Sequence, residues 1–239
     1  MVPFYNNERT LVENAAAIFT ALKRDLAGGF ELVLCDDGST DASLAAAKAF
    51  AASRPAVRVV GYTPNRGRGY AVRFAALSCD GDKLIFADLD LPQTTSLSHV
   101  RIMVERLKRD PVVIGSRFLR ASATKRRRLR GAVGRAHRLA FRLSFPGVKV
   151  SDPDAGFKGF DLAWLKRMCR VSREDRWSWD MEVLEIARAN GLSVAEIPID
   201  WNERHGDYAT SVRLVRDAWE EFTGLWRIRR NLRRGLYKI

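Results

Sequence analysis

The stretch KLIFADLD at residues 83–90 joins a short apolar run to two carboxylates, and the rest of the chain can be interpreted outward from it. Lys83 to Ala87 has the length and composition of a buried strand, and Asp88 and Asp90 follow directly. In an open α/β sheet, ligands bind beyond the carboxyl ends of the strands. Two acids at such an end can both face a divalent cation that also binds diphosphate oxygens. Taken alone the pattern is weak evidence, because most loop carboxylates are simply solvated.

Apolar runs alternate with helical patterns along the chain, which predicts a mainly parallel sheet with helices on its faces. The 239 residues are 46% hydrophobic, enough to fill a sizeable core. Only Met1 and Val2 precede Pro3, so the first strand is expected to be cut short, as if the chain began too late. Strands are predicted at Glu31–Cys35, Val57–Gly61, Lys83–Ala87, Val112–Gly115 and Ser193–Ile197, and helices at Thr10–Leu26, Ala42–Ala52, Gly69–Ser78 and Ser96–Lys108, the second capped by Ser39 or Asp41.

Two further polar segments follow predicted strands. Residues 36–41 read DDGSTD, and a carboxylate there can accept hydrogen bonds from a base or ribose, although Asp-Gly-Ser is also a common turn and helix cap. Residues 65–70 read NRGRGY, which lacks the third glycine of the dinucleotide fingerprint. A Rossmann dehydrogenase is therefore disfavoured, and the glycines more plausibly permit a tight turn that brings Arg66 or Arg68 near phosphate. Two carboxylate clusters at successive strand ends are considerably less expected by accident than one.

Several classes of protein are excluded by composition. The three cysteines and three histidines form no repeated ligand spacing, which argues against a zinc site or a disulfide scaffold and fits a reducing cytoplasm. No stretch approaches the ~20 apolar residues of a membrane-spanning helix, and the first residues do not form a signal sequence. We therefore expect a cytoplasmic protein that neither is exported nor spans a bilayer.

The positive charge is concentrated in two segments. Lys and Arg exceed Asp and Glu by 13, which suggests an anionic partner. Ten basic residues and no acid lie between Arg117 and Arg142, and six basic residues and no acid lie between Leu225 and Ile239. The remainder of the chain is close to neutral, so these two segments account for the whole excess.

An apolar stripe at helical spacing overlaps or adjoins each basic segment. Each stripe has two readings: it packs on the protein's own core, or it lies on a membrane surface as an interfacial helix does. The first stripe is Leu129, Val133, Ala136, Ala140 and Leu143, and the second is Val215, Trp219, Phe222 and Trp226.

Together the motifs resemble the GT-A glycosyltransferases of family 2, and within them the polyprenyl-phosphate glycosyltransferases typified by dolichyl-phosphate mannose synthase. Each motif is loose alone, but eight occur in the family's order over nearly the whole chain. They are Val2-Pro3-Phe4-Tyr5-Asn6, Asp36 to Asp41, Asn65 to Gly69 with Ala71, Asp88-Leu89-Asp90, Gly115-Ser116-Arg117, Asp152 to Phe160, Trp179-Asp180-Met181-Glu182, and Glu196-Ile197-Pro198 through Trp201 and Arg204.

The resemblance implies a set of site residues. Two positions depart from the family: Asn7 stands where Glu is common, and Gln93 lies three residues after Asp90, where some relatives have a metal-binding Gln two after. The implied nucleotide-sugar contacts are Pro3, Tyr5, Asn7, Asp36, Asp37, Asn65, Arg68 and Asp88; the ligands of Mg²⁺ or Mn²⁺ are Asp88, Asp90 and Gln93; the acceptor phosphate falls to Arg117, Arg130 and Arg204; and the catalytic set is Asp88, Asp90, Arg117 and Asp180.

Some of these motifs also have purely structural interpretations. Asp180 and Glu182 begin a predicted helix, where the helix dipole favours acids. Asp152 and Asp154 are expected to shape a turn around Pro153. Lys158 either touches phosphate or is exposed, and exposure is the preferred expectation.

The fold class implied is α/β, a GT-A nucleotide-diphospho-sugar transferase fold with a C-terminal amphipathic helix. We expect one catalytic domain, with a nucleotide-sugar half at 1–115, an acceptor half at 116–209 and a basic amphipathic helix at 210–239. The implied reaction is metal-dependent, inverting transfer of a hexose from GDP-mannose or UDP-glucose to a polyprenyl (dolichyl-type) phosphate, with the enzyme peripheral on the cytoplasmic face of the membrane.

Two alternatives remain open at the level of sequence. The first is a family 2 enzyme with a soluble or protein acceptor, whose basic segments serve assembly or bind a membrane-protein partner. The second is a basic nucleic-acid-binding protein, suggested by the run from Lys125 to Arg130. That second alternative leaves Asp88-Leu89-Asp90 unexplained, so no nucleic-acid partner is expected.

Overall fold

A computed structural model describes residues 1–26, 29–125, 138–202 and 214–239, with the side chains at 93, 94, 125 and 214–218 outside the description. Strands and helices alternate over the first half of these residues. The strands are β1 (Val2–Phe4), β2 (Leu32–Asp36), β3 (Val57–Gly61), β4 (Lys83–Ala87), β5 (Val112–Ser116), β6 (Thr124–Lys125), β7 (Phe157–Asp161), β8 (Val194–Pro198) and β9 (Trp201–Asn202). The helices are α1 (Leu11–Asp25), α2 (Ser43–Ala52), α3 (Arg68–Ser78), α4 (Leu91–Thr94), α5 (His99–Arg106), α6 (138–144), α7 (Leu162–Val171), α8 (Trp179–Ala189) and α9 (Leu214–Arg233).

Two sheets meet edge to edge at the start of the chain. β1, β2 and β3 are parallel neighbours, and β4, β7, β5 and β8 form the second sheet in that order. The amino group of Met1 donates to Ile85 O at 2.8 Å, and Ala87 N donates to Met1 O at 3.1 Å, the pattern of a parallel ladder between β1 and β4. The carboxyl ends of β2, β1 and β4 therefore lie side by side.

The predicted mainly parallel sheet with flanking helices is confirmed, although β6, β7 and β9 were not predicted. β7 runs antiparallel between β4 and β5. Its sequence, FKGFD, contains a lysine and a glycine, so it lacks the continuous apolar run that marks the other strands. The predicted strands at Val57–Gly61 and Lys83–Ala87 have the observed bounds, and the other strands and helices differ by one to three residues at an end. The exception is the helix predicted at 210–239: α9 ends six residues earlier, at Arg233.

β2 is buried on both sides because helices cover both faces of the sheet. Leu32 and Leu34 belong to a core shared with α1 and α2, whereas Val33 and Cys35 belong to one shared with α3, α7 and α8. Successive strand side chains point to opposite faces, so one apolar run supplies both cores. The α2 cap differs from the prediction: the N-cap residue is Ala42, while the Asp41 carboxylate accepts Ser43 N at 2.9 Å.

α3 and α8 meet at their first turns, where only a glycine fits. A Cβ on Gly69 would lie 2.8 Å from the carbonyl oxygen of Arg176 and would overlap the side chain of Trp179. Trp179 is 1% exposed and packs edge-on against Phe86, with ring centroids 6.2 Å apart. This contact sets Arg68, at the start of α3, opposite Asp180, at the start of α8.

The C-terminal helix uses a different face for packing from the one its aromatic stripe suggests. Leu225 and Ile228 are buried, whereas Trp219 and Trp226 are 73% and 64% exposed. The core-packing reading of Trp219, Phe222 and Trp226 is therefore wrong, and the side chain of Val215 lies outside the description. Within the described residues, no helix has the length and apolar character to cross a bilayer.

The first stripe differs in the same way. In α6 Phe141 is buried, Ala140 is half-buried and Leu143 is 72% exposed, and Phe145, directly after the helix, is also buried. The core-packing reading of Leu143 is wrong, because the two phenylalanines point inward instead. Leu129, Val133 and Ala136 lie outside the described residues.

Candidate functional site

Asp37, at the end of β2, organises the glycine-containing loop before α3. Its carboxylate accepts the Tyr62 hydroxyl at 2.7 Å and the backbone N–H groups of Arg66 at 2.9 Å and Gly67 at 3.0 Å. Its carbonyl oxygen accepts the Asn65 amide at 2.8 Å. Buried backbone donors need such partners, so a carboxylate at this position fixes the loop's shape. Two predicted nucleotide contacts, Asp37 and Asn65, are thus joined in one network.

The ends of β1 and β2 are also tied together. Asn6 N donates to Ser39 Oγ at 3.0 Å, and Asn7 N donates to Ser43 Oγ at 2.7 Å. Asn6 has φ +50°, a conformation that asparagine tolerates. The linkage leaves the Tyr5 ring 38% exposed at the sheet edge. A nucleoside base could therefore reach this aromatic surface.

The remaining predicted contacts of this group lie near Tyr5 with different exposures. Pro3 is buried within β1, and Asn7 is half-buried with its side-chain oxygen 3.2 Å from the Tyr5 backbone nitrogen. Asp36 is 2% exposed, and its carboxylate accepts Ser39 N at 3.1 Å. In this arrangement Pro3, Asn7 and Asp36 shape the surface on which Tyr5 is presented.

Four charged side chains alternate in sign between β4 and α8. Arg68 Nη1 lies 2.9 Å and 3.2 Å from the two carboxylate oxygens of Asp88. The same guanidinium contacts the Asp180 carboxylate, and the other oxygen of Asp180 accepts Lys158 Nζ at 2.7 Å. Asp180 is 1% exposed and Lys158 is fully buried, so each charge is compensated inside the protein. The expectation that Lys158 is exposed is wrong.

Desolvation shifts the pKa of Lys158 in this cluster and of Asp90, two residues after Asp88. Desolvation, reinforced by the charge of Arg68, lowers the pKa of Lys158 to about 7. Desolvation by surrounding protein, followed by the nearby charge of Asp88, raises the pKa of Asp90 to about 6, although its side chain reaches the surface. Perturbed ionisations grouped at a strand end are typical of a functional site.

Asp88 is held by close backbone contact with the loop before β7. Its N–H donates to Gly156 O at 2.9 Å, and a Cβ on Gly156 would overlap the Asp88 carboxylate. Glycine at 156 is therefore required by the position of Asp88. This explains in physical terms why a glycine precedes Phe157 and Lys158.

Arg117, predicted to meet an acceptor phosphate, is bound by a buried acid. Its Nε and Nη2 atoms each lie 2.7 Å from an oxygen of Asp152, which is fully buried. The guanidinium also lies 5.2 Å from the ring centroid of Trp201. Asp152 thus orients Arg117 rather than only shaping a turn.

The other acceptor-side predictions cannot be placed. Arg130 and Arg204 lie outside the described residues, and so does the side chain of Gln93, whose backbone belongs to α4. Asp180 and Glu182 do begin a helix, as predicted, but both are buried. The dipole reading is therefore incomplete: Asp180 pairs with Lys158, and Glu182 accepts the backbone N–H groups of Arg173 and Glu174.

Sequence reasoning missed the pairing of Lys158 with Asp180 and of Arg68 with both Asp88 and Asp180. A signal existed for the first pair. A lysine between Phe157 and Phe160 sits in an apolar setting and needs a buried partner. Nothing local identified that partner, because it lies on a helix more than twenty residues away.

The donor set at the end of β4 suits a hard divalent cation. Asp88 and Asp90 offer carboxylate oxygens near the surface, the ligands that Mg²⁺ and Mn²⁺ prefer. Across the described part of the chain, no cluster of three or more His, Cys, Asp or Glu side chains is arranged to hold a metal. Two carboxylates leave the other ligand positions of such an ion to diphosphate oxygens and water.

The fold and this strand-end site define a glycosyltransferase of the GT-A type. The chain belongs to glycosyl transferase family 2, whose sequence pattern matches residues 1–169. Membership decides between an enzyme and a nucleic-acid-binding protein in favour of the enzyme.

The chain aligns over most of its length with several related proteins. It is 33% identical to the glycosyltransferase AglD of Haloferax volcanii over 91% of this chain and 34% of that protein. It is 29% identical to the dolichyl-phosphate β-glucosyltransferase of Drosophila melanogaster over 95% of this chain and 76% of that protein, and 29% identical to the human one over 86% and 67%. The chain thus spans about a third of AglD.

Among solved structures, the chain is similar to glucosyl-3-phosphoglycerate synthase of Mycobacterium tuberculosis in complex with UDP. The TM-score is 0.70 at 19% identity, covering 95% of this chain and 78% of that one. At this identity the likeness establishes the fold alone.

Proposed function

We propose that this protein transfers glucose from UDP-glucose to a polyprenyl phosphate. The observation that carries the proposal is the cluster at the end of β4, where Asp88 and Asp90 offer metal ligands beside the Arg68–Asp180 pair. The glucosyl specificity in the names of relatives matched over 86% to 96% of this chain supports glucose. UDP-glucose in a structure of the mycobacterial synthase supports UDP-glucose over GDP-mannose.

The reaction would be an in-line displacement with inversion. An oxygen of the acceptor phosphate forms a bond to the anomeric carbon, and the bond from that carbon to the diphosphate oxygen breaks. The electron pair leaves with UDP. A phosphate monoester has a second pKa of about 6, so most of it is dianionic at neutral pH and a strong general base is unnecessary.

The residues of this chain would act by binding and charge compensation. Mg²⁺ or Mn²⁺, bound by Asp88 and Asp90, would neutralise charge on the leaving diphosphate. Arg68 would face the same oxygens, held in place by Asp180. The guanidinium of Arg117, oriented by Asp152, would contribute to capture of the acceptor phosphate, for which arginine forks are geometrically suited.

The basic segments would hold the enzyme at an anionic membrane surface, on the cytoplasmic face, with the acceptor's tail in the bilayer. Each Lys or Arg near such a surface contributes about 1 kcal/mol. A fraction of the sixteen basic residues in the two segments is enough for peripheral binding.

The test is transfer of radiolabelled sugar to polyprenyl phosphate in detergent with Mn²⁺, comparing UDP-glucose with GDP-mannose. We expect labelled lipid from UDP-glucose with wild type and none with Asp90→Ala. Asp80→Ala is the matched control, because that carboxylate is 99% exposed and remote from β4's carboxyl end. Labelled lipid from GDP-mannose alone would overturn UDP-glucose as the donor. Wild-type activity in Asp90→Ala would overturn the assignment of Asp90 as a metal ligand.

A soluble phosphorylated acceptor is the second candidate. It is favoured by the structures of the mycobacterial synthase with phosphoglyceric acid. The same assay with 3-phosphoglycerate distinguishes the two candidates. Label in the aqueous product, with none in lipid, would support the soluble acceptor and overturn the polyprenyl phosphate.

A further inference from the structure

The C-terminal helix α9 has one face fixed to the protein. Leu225 and Ile228 are 5% and 0% exposed, and Asn231 is 6% exposed. Gly224 lies against Ser178, where an added Cβ would overlap the serine hydroxyl. These four positions follow one side of the helix, which orients the opposite side outward.

The outward face carries aromatic residues followed by arginines. Trp219, Phe222 and Trp226 are 73%, 44% and 64% exposed, at spacings of three and four residues. At 100° per residue, Arg229, Arg230 and Arg233 continue the same face, and all three are exposed. We call these six residues the outer face of α9.

The outer face contains no acidic residue. Glu220 and Glu221 lie about 100° or more around the helix from its centre, and Glu220 is 3.9 Å from Arg176. Arg227, beside the face, is neutralised by Glu174 at 2.9 Å and 2.6 Å. By contrast, Arg229, Arg230 and Arg233 have no acidic partner within the described ranges, and the Arg230 guanidinium lies 5.0 Å from the Trp226 ring centroid.

We propose that the outer face of α9 lies in the headgroup layer of an anionic bilayer, with the helix parallel to the membrane plane. Tryptophan is enriched at membrane interfaces because its ring is apolar and its N–H is polar. Arginines on the same face meet anionic headgroups, while the inner face remains on the protein core. The surface is a membrane-docking face, and it deepens the proposed function by placing the lipid beside the site.

A second copy of the chain fits this face less well. In a two-fold dimer the same patch meets itself: parallel helices would bring the three arginines of each copy together, and antiparallel helices would bury them against a face that has no acidic residue. Like charges facing each other in a desolvated contact oppose association. Anionic lipid matches both the aromatic residues and the charge.

The face is close to the catalytic region. Ser178 touches α9 and comes two residues before Asp180, whose carboxylate contacts Arg68. A helix with its side chains is roughly 10 Å across, so α9 would hold the bilayer about one helix diameter from this part of the site. A phosphate on a lipid could then enter the site while its tail remains in the membrane.

The test is flotation of the full chain with phosphatidylcholine vesicles and with mixed phosphatidylcholine–phosphatidylglycerol vesicles. We expect Trp219→Ser/Trp226→Ser to lose at least about tenfold in binding to both. The triple variant Arg229→Gln/Arg230→Gln/Arg233→Gln should weaken the preference for anionic vesicles, and an unchanged preference would overturn the role of these three arginines. Ile102→Ser/Arg101→Gln, on exposed positions of α5, is the matched control and should bind like wild type.

A conservative pair guards against misfolding. Brominated lipid should quench the tryptophan fluorescence of the wild type, and Trp219→Phe/Trp226→Phe should retain the fold and remove this quenching. Quenching that survives in this pair, wild-type flotation of the serine variant, or no flotation of wild type would each overturn the docking face. A dimer in solution that the serine variant converts to monomer would assign the face to a second copy.

Activity in detergent separates this inference from the proposed function. The α9 variants should transfer sugar to detergent-dispersed polyprenyl phosphate at the wild-type rate. Full activity with no vesicle binding by wild type would overturn the docking face alone. Vesicle binding with no lipid product would overturn the proposed function alone.

Discussion

At the scale of single residues, Arg68 connects the strand-end carboxylates to the buried pair behind them. It contacts Asp88, directly after β4, and Asp180 on α8, and its guanidinium lies 4.6 Å from the Trp177 ring centroid. A planar fork can serve two carboxylates and an aromatic ring together, whereas an ammonium is a point charge. The identity of this residue therefore matters beyond its charge.

Arg68→Lys should lower kcat/KM for sugar transfer by roughly 10²-fold, about 2.7 kcal/mol, the cost of losing one electrostatic contact to a leaving group. The lysine keeps the charge but cannot reach both Asp88 and Asp180. The measurement is steady-state transfer with UDP-glucose, with UDP affinity by calorimetry. Arg54→Lys, which stacks on Phe50 away from the site, is the control. Equal kinetics for Arg68→Lys would contradict the bridging role.

Gly156→Ala should weaken Mn²⁺ binding by displacing Asp88 while leaving the fold intact. Its methyl group would meet the carboxylate, not the core. Gly159→Ala, on the same segment, is the comparison: its methyl group would lie 2.7 Å from Leu107 and 2.8 Å from Met103, so it should cost about 1–3 kcal/mol of unfolding free energy by overpacking. Gly156→Ala should lower the Mn²⁺ affinity with little change in melting temperature. Gly159→Ala should lower the melting temperature with little change in Mn²⁺ affinity.

Asp90 illustrates a conflict between stability and function. Its pKa of about 6 in the folded protein exceeds the ordinary value of roughly 3.9. The contribution of protonated Asp90 to the free energy of unfolding is therefore complete below about pH 4, and it is lost as the pH rises through 6. A metal ligand, however, must be ionised, so activity needs the charged form.

Asp90→Asn should therefore raise the melting temperature near pH 8 while abolishing transfer, and the gain should disappear near pH 4. The Mn²⁺ affinity of the wild type should decline as the pH falls below about 6, because protons compete with the ion for the Asp90 carboxylate. Thermal unfolding at the two pH values tests the first statement, with Asp80→Asn as the exposed control. A stability gain of the same size at both pH values would show that desolvation of the charge is not its cause.

At the scale of elements, the sequence predicted the strands that are apolar runs and missed a strand whose residues are explained by contacts with distant partners. β2, β3 and β4 are apolar runs, and their bounds were predicted within one residue. β7 was missed because Lys158 and Gly159 interrupt it, and both are explained only by tertiary contacts, with Asp180 and with Met103. For α9 the helix was predicted but not its inner face, since Leu225 and Ile228 compete with a larger aromatic stripe.

The same limit applies to the candidate site. Asp88 and Asp90 were identifiable because they directly follow a strand, a local pattern with a known consequence. The partner of Arg117 is Asp152, 35 residues away, and only folding shows that one orients the other. Local sequence thus indicated which residues carry charge, and the fold determined their pairing.

The loop before α8 is held by the C-terminus of the chain. The Tyr237 hydroxyl donates to Glu182 at 2.7 Å, and Glu182 accepts the N–H groups of Arg173 and Glu174. Desolvation raises the pKa of Glu182, opposed by these hydrogen bonds. Removing one donor leaves a buried carboxylate less satisfied.

Tyr237→Phe should consequently cost about 1–3 kcal/mol of unfolding free energy. Urea denaturation measures it, and Glu182→Gln with the double variant completes a cycle. A coupling energy near zero would mean that the hydroxyl and the carboxylate act independently. The phenylalanine variant keeps the ring that is 1% exposed, so the cycle isolates the hydrogen bond.

At the scale of the whole molecule, charge is divided between a nearly neutral body and two basic segments. The segments 117–142 and 225–239 carry ten and six basic residues and no acid. A nearly neutral body does not attract polyanions indiscriminately, while the two segments carry the positive charge. The exposed leucines of α6, Leu139 and Leu143, and the outer face of α9 lie within or next to these segments.

This division predicts that salt will affect transfer differently in vesicles and in detergent. The Debye length falls from about 10 Å at 0.1 M ionic strength to about 3 Å at 1 M, which screens exposed arginines from a lipid surface. Transfer to polyprenyl phosphate in anionic vesicles should therefore fall several-fold over that range. Transfer in neutral detergent micelles should change little, because there the acceptor is reached without surface charge. Arg126→Gln/Arg127→Gln/Arg128→Gln/Arg130→Gln should reduce the salt dependence in vesicles, and an unchanged dependence would mean that this segment does not meet the lipid.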